Sequence, residues 1–313
     1  MIKKYIITAH TNPEQLKRLI CKLNDEYSIF YIHIDLKSDI SEFKKVIDFN
    51  NVIFIENRID CIWGDFSIVV ATINLLKEAS KSGDSDKDSK IIVLSGQDYP
   101  IKSLSDINNY LKANKEYEFI SFELDPIPND HERIKKYKIN VSSKRGNFML
   151  LNSFFNSNLK DKLRRIKYLI KKIISFDDFT NTLFDRKPLF QDNYKGSNWF
   201  CINEKTAVKI LRYIDKNKTK LYNYYKYTFC ADEHFFHTIL KDMMKENKDI
   251  KIKPCLHFID WNRKNIPWVL LPVTFTTIDL ELLLKQPENK LFARKFDQDM
   301  DEEILNLLDE NIG

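Results

Sequence analysis

Cysteine is scarce in this sequence, and its spacing does not fit a metal site. The cysteines number five, an odd count, and no two have the C-x-x-C spacing: they are Cys21, Cys61, Cys201, Cys230 and Cys255. This pattern argues against a disulfide framework and against a zinc site. We therefore expect reduced, buried thiols.

Long apolar runs and a leader segment are also absent. No stretch reaches the roughly 18 apolar residues that a transmembrane helix needs. The opening MIKKYIITAHTNPEQ has too short an apolar run for a signal peptide and no small-residue cleavage site. These absences favour a cytoplasmic protein.

The composition indicates a folded chain with a large core. The 313 residues are 43% hydrophobic and 13% aromatic, which excludes a disordered chain and fits one large domain. The net charge of +5 is a weak indication of acidic partners such as phosphates, nucleic acid or anionic lipid. Because no basic–aromatic stripe or finger motif accompanies the charge, nucleic acid is not an expected partner.

Strand and helix patterns alternate through residues 1–125. The predicted strands are 4–10, 28–34, 51–55, 91–94 and 117–121, and the predicted helices are 13–23, 65–79 and 104–113. This alternation predicts an α/β fold with a mainly parallel central sheet flanked by helices. Ligands bind such sheets at the carboxyl ends of the strands, so we expect a ligand site at that edge.

Residues 126–313 are less regular, and we expect them to form the second half of the same domain. The predicted helices are 159–174, 203–215, 232–245 and an acidic helix at the end, with one strand at 251–259. We find no internal repeat.

The segment 159–174, LKDKLRRIKYLIKKII, has two interpretations. Its apolar stripe comprises Leu159, Leu163, Ile166, Ile170 and Ile173, and basic residues occupy most of the other sides. The stripe could pack on the core and leave a solvated basic face. Alternatively, the helix could lie on an anionic bilayer at the inner face of the membrane, where each Lys or Arg contributes about 1 kcal/mol.

Seven segments occur in the order found in one known family. They are FYIHIDLKS (30–38), IWGDFSIVVA (62–71), VLSGQDYPIKS (93–103), GSNWFCI (196–202), ADEHFFHTIL (231–240), IDWNR (259–263) and LFARKFD (291–297). With them the chain resembles, over nearly its whole length, the core-2/I-branching N-acetylglucosaminyltransferase and peptide O-xylosyltransferase family. The resemblance implies a GT-A type nucleotide-diphospho-sugar transferase fold, an inverting transfer, a UDP-sugar donor, and no metal or other cofactor. Because this chain lacks an anchor and lumenal disulfides, it looks like a bacterial member.

The resemblance assigns the catalytic base to Glu233 in ADEHFFHTIL. An inverting transfer needs one carboxylate to take the proton from the attacking acceptor hydroxyl. Taken alone, Asp232 and Glu233 could simply favour a helix N-terminus, and Asp232 fits a capping role better than a catalytic one. His234 and His237 share a helix face, but two nitrogens without a third ligand indicate packing rather than a metal site.

The turn after residues 91–94 carries a single acid, Asp98, where many sugar-nucleotide enzymes have two acids that hold a metal on the diphosphate. Fixed cations must then stabilise the negative charge that develops as UDP leaves. The resemblance assigns this task to Arg294 and Lys295 of LFARKFD. Taken alone, the pair would be solvated on a surface turn.

The resemblance also implies the donor contacts. They are Thr8, Asp35, Cys61, Ile62 and Trp63 for the nucleoside end, and Asn198 and Trp199 for the donor sugar. Trp63 could equally belong to the core. Some relatives have Asp at the position of Asn198, which leaves the sugar open.

Asp98, Arg133 and Trp261 are the acceptor candidates. A lone acid after a strand usually forms a turn, and Trp261 could equally be buried. The chain departs from several relatives at LLPVTFT (270–276), which lacks a further basic or polar group; Arg263 or Lys264 would then supply the second cationic contact.

The sequence therefore predicts an inverting glycosyltransferase that moves GlcNAc or xylose from a UDP-sugar to a hydroxyl of a glycan acceptor without a metal. The alternative is a non-catalytic sugar-nucleotide or glycan-binding module on the same fold.

Overall fold

The structure, a computed structural model, describes residues 1–81, 88–128, 131–263 and 271–313, with backbone only at 124 and 125. In the first half the strands are β1 (Ile2–Ala9), β2 (Ser28–Ile34), β3 (Val52–Phe54), β4 (Ser89–Ser95), β5 (Asp98–Pro100), β6 (Tyr117–Phe119) and β7 (Phe122–Ile127). The helices there are α1 (Pro13–Leu23), α2 (Ile40–Val46), α3 (Phe66–Ala79) and α4 (Leu104–Ala113).

The second half supplies shorter strands and longer helices. Its strands are β8 (Tyr137–Asn140), β9 (Phe148–Leu151), β10 (Asn193–Gly196), β11 (Cys201–Asn203), β12 (Lys251–Lys253), β13 (His257–Ile259) and β14 (Phe292–Arg294). Its helices are α5 (Glu132–Lys135), α6 (Leu159–Ile170), α7 (Phe176–Asn181), α8 (Glu204–Tyr225), α9 (Phe235–Glu246), α10 (Leu280–Leu284) and α11 (Glu303–Ile312). Single 3₁₀ turns lie at Ala231–Glu233 and Thr277–Asp279.

A seven-stranded sheet in the order β12-β6-β11-β4-β1-β2-β3 forms the centre of the fold. Its pairs are parallel except that β11 runs antiparallel to both β4 and β6. The sheet confirms the predicted α/β fold with a mainly parallel sheet flanked by helices, as in GT-A type enzymes. Strands from both halves share it, because β11 lies between β4 and β6.

Two apolar layers cover the two faces of this sheet. Along β1, Tyr5 and Ile7 face a cluster that includes residues of α1 and α11, whereas Ile6 faces a cluster with α3, α8 and α9. The residues Ile91 to Leu94 of β4 alternate between the clusters in the same way. Strands buried on both faces read as continuous apolar runs, which is why these segments were predictable.

The N-terminus of α3 ties the two halves together. Asp65 caps this helix by accepting a hydrogen bond from the Ser67 amide at 2.9 Å. The other carboxylate oxygen of Asp65 accepts hydrogen bonds from Lys138 and Asn140 of β8, both at 2.7 Å. The cap residue therefore also anchors the β8–β9 hairpin.

Several predicted boundaries are wrong. The segment 251–259 forms two strands in different sheets, because Pro254 offers no amide hydrogen to continue a ladder. Helix α8 extends well past residue 215, with a break at Asn217. The helix expected from residue 232 begins at Phe235, after a 3₁₀ turn.

The interpretation that the apolar stripe of α6 packs on the core is also wrong. The stripe faces solvent, and the buried side of the helix carries Arg165, which is 0% exposed. Arg165 donates hydrogen bonds to the carbonyl oxygens of Thr182, at 3.2 Å, and Asn152. The helix also ends at Ile170, since Lys172 adopts a left-handed backbone conformation with φ of 55°.

Strand β10 requires a glycine at position 196. A Cβ atom there would lie 1.7 Å from the Ser121 carbonyl oxygen and 2.7 Å from Nε2 of His237.

We therefore expect Gly196→Ala to lower the free energy of unfolding by at least about 3 kcal/mol, measured by urea denaturation. As a control, Gly146→Ala introduces a Cβ at a φ of +79° with no atom within 4 Å. It should cost only about 1 kcal/mol, and equal losses in the two variants would contradict this explanation.

Candidate active site

The carboxyl ends of three neighbouring strands bring the first group of candidates together. Thr8 of β1 pairs in register with Ser95 of β4. The Asp35 amide, just after β2, donates to the Ala9 carbonyl at 2.8 Å, and the Gly96 amide donates to the Thr8 carbonyl at 3.0 Å. Thr8 and Asp35 therefore lie at one edge of the sheet, as the fold predicts.

Asp35 organises the loop that carries Cys61. Asp35 is 7% exposed. Its carboxylate accepts a hydrogen bond from the Cys61 amide at 3.2 Å and forms an ion pair with Lys37 Nζ at 3.2 Å. Burial raises the pKa of the Cys61 thiol to about 12, so this thiol is protonated at neutral pH. Ile62 contributes its backbone, donating to Ser67 Oγ at 3.0 Å.

Trp63 is a surface residue, so the core alternative for it is wrong. Its side chain is 45% exposed and packs edge-on against Phe229, with ring centroids 5.7 Å apart. The guanidinium of Arg145 lies 4.8 Å above the Trp63 ring. A flat aromatic surface next to a cation is thus available at this end of the cleft.

Arg294 is held in place by a buried carboxylate. Strand β14 runs antiparallel to β5, and the register sets Arg294 opposite Asp98. Nη1 of Arg294 donates to Asp98 Oδ1 at 3.0 Å and to Ser95 Oγ. Asp98 is 0% exposed. Burial raises the pKa of its carboxyl, but the charge of Arg294, the neighbouring His257 and a hydrogen bond from the Ser95 amide together outweigh burial, and the pKa lies below its ordinary value.

Lys295 and Arg145 add charge beside Arg294. Burial lowers the pKa of Lys295, and the charges of Arg294 and Arg145 lower it further. Within the described residues, Lys295 Nζ forms no ion pair with a carboxylate. These side chains form a cluster of three cations that can receive an anion. Arg145 was missed because only the folded chain brings it to the cluster.

The donor-sugar candidates Asn198 and Trp199 lie beside the same cations. The Arg294 guanidinium is 4.6 Å from the centroid of the Trp199 ring, and His257 packs on that ring at 5.4 Å. The Oδ1 atom of Asn198 is buried and has no hydrogen-bond partner among the described residues. An acceptor of this kind is available for a hydroxyl or amide of a ligand.

Glu233 lies in a 3₁₀ turn on the other side of the cleft. Its carboxylate is ion-paired with Arg133, and Lys195 Nζ lies 3.7 Å away. Arg133, expected to contact the acceptor, therefore contacts the candidate base. Lys195 was missed because it is 38 positions away along the chain and approaches only through β10.

A backbone contact joins the loop of Trp63 to the turn of Glu233. The Cys230 amide donates to the Gly64 carbonyl at 3.0 Å. Gly64 has a φ of +70°, and a Cβ there would meet the Phe229 ring at 2.8 Å, so glycine suits this position. A main-chain hydrogen bond thus links the candidate donor loop to the turn of the candidate base.

A row of side chains connects the cation cluster to the base. In order along the cleft they are Lys295, Arg145, Trp63, Phe229, Arg133 and Glu233. The residues predicted for the leaving group and for proton transfer are therefore connected by one row of neighbouring side chains.

The remaining candidates are placed as follows. Asp98 is buried behind Arg294 and has no exposed surface for an acceptor. Trp261 is 49% exposed, so the core alternative for it is wrong. Arg263 is ion-paired with both Asp260, at 3.0 Å, and Asp279, so it is not a spare cation for a diphosphate. Lys264 lies outside the described residues.

The two histidines after Glu233 are enclosed in the protein. His234 and His237 are 1% and 0% exposed, and burial lowers the pKa of both imidazoles, to about 3 for His237. Both are therefore neutral at physiological pH. In the part of the chain that the structure describes, no group of three or more His, Cys, Asp or Glu side chains could hold a metal ion. Among these same residues, no helix has the length and apolar character to cross a membrane.

Comparison with known proteins identifies the family. The profile of the Core-2/I-Branching enzyme family matches residues 5–278. The chain belongs to this family.

Curated members of the family align over nearly the whole chain. It is 24% identical over 323 residues to xylosyltransferase 1 of Rattus norvegicus, covering 97% of this chain and 35% of the relative. It is 24% identical over 320 residues to xylosyltransferase 2 of Homo sapiens, covering 97% of this chain and 33% of the relative. The chain thus spans about a third of the length of these relatives.

Asp232 gives a pH-dependent prediction. Burial and the charge of Glu233 raise the pKa of this carboxyl to about 7 in the folded state. In the unfolded chain an Asp has a pKa of about 3.9. Between pH of about 4 and about 7, the folded state therefore binds a proton on Asp232 that the unfolded state has lost. The free energy of unfolding falls as pH rises through this range. Asp232→Asn removes this loss. We expect its unfolding free energy, from urea denaturation at pH 5 to 8, to rise relative to wild type as pH increases.

Asp177→Asn, at an exposed site in the first turn of α7, is the matched control and should differ from wild type by a constant amount. A pH-independent difference for Asp232→Asn as well would show that Asp232 keeps an ordinary pKa.

Proposed function

We propose that this protein is an inverting glycosyltransferase. It transfers GlcNAc or xylose from a UDP-sugar to a hydroxyl of a glycan acceptor, with Glu233 as general base and with cationic side chains in place of a metal. The observation that carries the proposal is the arrangement of Arg294. A buried carboxylate fixes this arginine beside Lys295, which forms no ion pair with a carboxylate among the described residues, and a row of side chains connects these cations to Glu233.

The leaving group is the first electrostatic requirement. As the bond from the anomeric carbon to the diphosphate breaks, negative charge develops on UDP. Arg294 and Lys295, with Arg145 nearby, supply positive charge that is already in position. Because Asp98 and Ser95 hold Arg294, little reorganisation is needed when the bond breaks.

Proton removal is the second requirement. Glu233 accepts the proton of the acceptor hydroxyl while the hydroxyl oxygen attacks the anomeric carbon from the face opposite the leaving group. Arg133 and Lys195 orient the Glu233 carboxylate before the acceptor arrives. One carboxylate suffices, since no covalent intermediate forms.

Substrate contacts follow from the positions of the other candidates. Thr8, Asp35 and the Cys61–Trp63 loop receive the nucleoside, and Asn198 and Trp199 contact the donor sugar. The unsatisfied Oδ1 of Asn198 supports this assignment. The half-exposed ring of Trp261 provides a surface on which an acceptor sugar can stack. Asp98 acts as a positioning residue through Arg294, not as a substrate contact.

The base assignment predicts that Glu233→Gln abolishes transfer. The amide cannot accept the proton, so we expect transfer to fall about 10²- to 10⁴-fold. Product formation from UDP-GlcNAc and UDP-xylose, measured by mass spectrometry across a panel of glycan acceptors, tests this. UDP binding by calorimetry should persist, because Glu233 lies away from the nucleoside contacts.

The matched control is Glu132→Gln, a nearby exposed glutamate paired only with Lys136 in the described structure. Its activity should equal that of wild type. Undiminished transfer by Glu233→Gln would remove Glu233 from the role of base. UDP binding by wild type without transfer from either donor would instead support the non-catalytic binding module.

The leaving-group assignment predicts activity without a divalent ion. Wild-type transfer in EDTA should match transfer without it, because the side-chain cations are part of the fold. Lys295→Ala should lower transfer about 10²-fold, and Arg294→Lys should also lower it, because Lys cannot reproduce the two-pronged contact of Arg. Turnover with and without EDTA measures both effects.

Lys285→Ala, at an exposed lysine of the same C-terminal region, is the control and should leave turnover unchanged. Loss of wild-type transfer in EDTA, followed by recovery with Mn²⁺ or Mg²⁺, would show that a metal does the work assigned here to Arg294 and Lys295.

A further inference from the structure

Helix α6 presents an apolar stripe to solvent. We define the α6 stripe as the residues Leu159, Leu163, Ile166 and Ile170, whose exposed fractions are 72%, 58%, 39% and 76%. They are spaced four, three and four positions apart, so they share one side of the helix. In a water-soluble environment this side would ordinarily be the one that packs on the core.

The orientation of α6 is fixed by its opposite side. Arg165 is fully buried and hydrogen-bonded to the carbonyl oxygens of Thr182 and Asn152. Turning the stripe inward would expose this anchored guanidinium and bring apolar side chains against those carbonyls. Such a change would leave buried polar groups without partners, so the outward stripe is a property of the fold.

Aromatic side chains widen the apolar surface. Phe155 and Phe184 are 56% and 71% exposed, and their ring centroids are 5.3 Å apart. They follow closely in sequence on Asn152 and Thr182, whose carbonyl oxygens accept hydrogen bonds from Arg165 of α6. The Phe155 amide also donates to the Leu183 carbonyl at 3.2 Å. Phe176, at the start of α7, is 69% exposed. An exposed apolar surface of this kind marks an interaction site rather than ordinary protein surface.

Basic residues surround the stripe. Residues 159–173 include seven Lys or Arg and one acid, Asp161, which pairs with Arg164 at 2.8 Å. Lys160, Lys167 and Lys171 fall along one flank, about a quarter turn from the stripe. All three are exposed, and within the described residues they form no ion pair with a carboxylate. A partner with an apolar interior and a negatively charged surface would match this pattern.

We propose that the α6 stripe docks on an anionic lipid bilayer. The helix lies in the plane of the interface, with its aliphatic side chains among the acyl chains and its lysines at the lipid phosphates. A second copy of this chain is a poorer match, because two stripes face to face would bring their lysine flanks together. Nucleic acid is poorer still, since the most exposed residues of the surface are aliphatic.

Binding to vesicles tests the proposal without reference to activity. Wild type should sediment with phosphatidylcholine vesicles that contain phosphatidylglycerol, less at high salt, and not with pure phosphatidylcholine. Leu163→Ser/Ile170→Ser should weaken binding at least about tenfold per residue. Lys167→Gln/Lys171→Gln should weaken it roughly fivefold per lysine. Because these side chains are exposed, the thermal melting of each variant should match that of wild type.

The matched controls use exposed residues elsewhere. Ile278→Ser/Met300→Ser removes two apolar side chains that are 84% and 64% exposed, and Lys209→Gln/Lys216→Gln removes two charges from α8. Neither should change vesicle binding. Failure of wild type to bind anionic vesicles, or unchanged binding by the stripe variant, would overturn the proposal. So would a wild-type dimer in analytical ultracentrifugation that the stripe variant converts to a monomer, because a second copy would then occupy the stripe.

Discussion

The ion pair between Arg294 and the buried Asp98 is the contact on which the rest of the site depends. Removing a carboxylate from water costs several kcal/mol unless a cation and hydrogen bonds compensate it, so a folded chain with Asp98 at 0% exposure needs Arg294 in place. This need draws β14 against β5 and sets Lys295 at the mouth of the cleft. The arginine is therefore oriented by the folding of the chain, before any substrate binds, and the cost of fixing it is not incurred during a reaction.

The cations of the cleft divide into two groups with different partners. At the sheet edge, Lys295 and Arg145 repel one another, and the charge of Asp297 offsets this repulsion only in part, which makes this end attractive to an anion. At the other end, Arg133 and Lys195 are engaged by Glu233. The cations without an ion-pair partner among the described residues thus lie at the end proposed for the diphosphate, and those at the other end are paired with Glu233.

Much of the central sheet and two site residues could be predicted from local patterns. The strands β1, β2 and β4 were predictable as continuous apolar runs, and the start of α3 follows from its Asp65 cap. Both signals are local in the sequence. The roles of Glu233 and Arg294 were predicted from segments that occur in the same order as in the family. The orientation of α6 could not be foreseen, because the stripe signals burial and only the distant carbonyls of Thr182 and Asn152 retain Arg165 inside. Lys195 and Arg145 escaped prediction for a similar reason: their contacts are long-range and lie in no recognisable motif.

The hydrogen bond from the Cys230 amide to the Gly64 carbonyl has a consequence for how this cleft can diversify. Both partners are main-chain atoms, so substitutions at Ile62 or Trp63 can reshape the nucleoside pocket while the bond persists. Substitutions of these side chains then leave the distance between that pocket and the turn of Glu233 unchanged. A scaffold of this kind can exchange one donor for another and keep its proton acceptor in alignment.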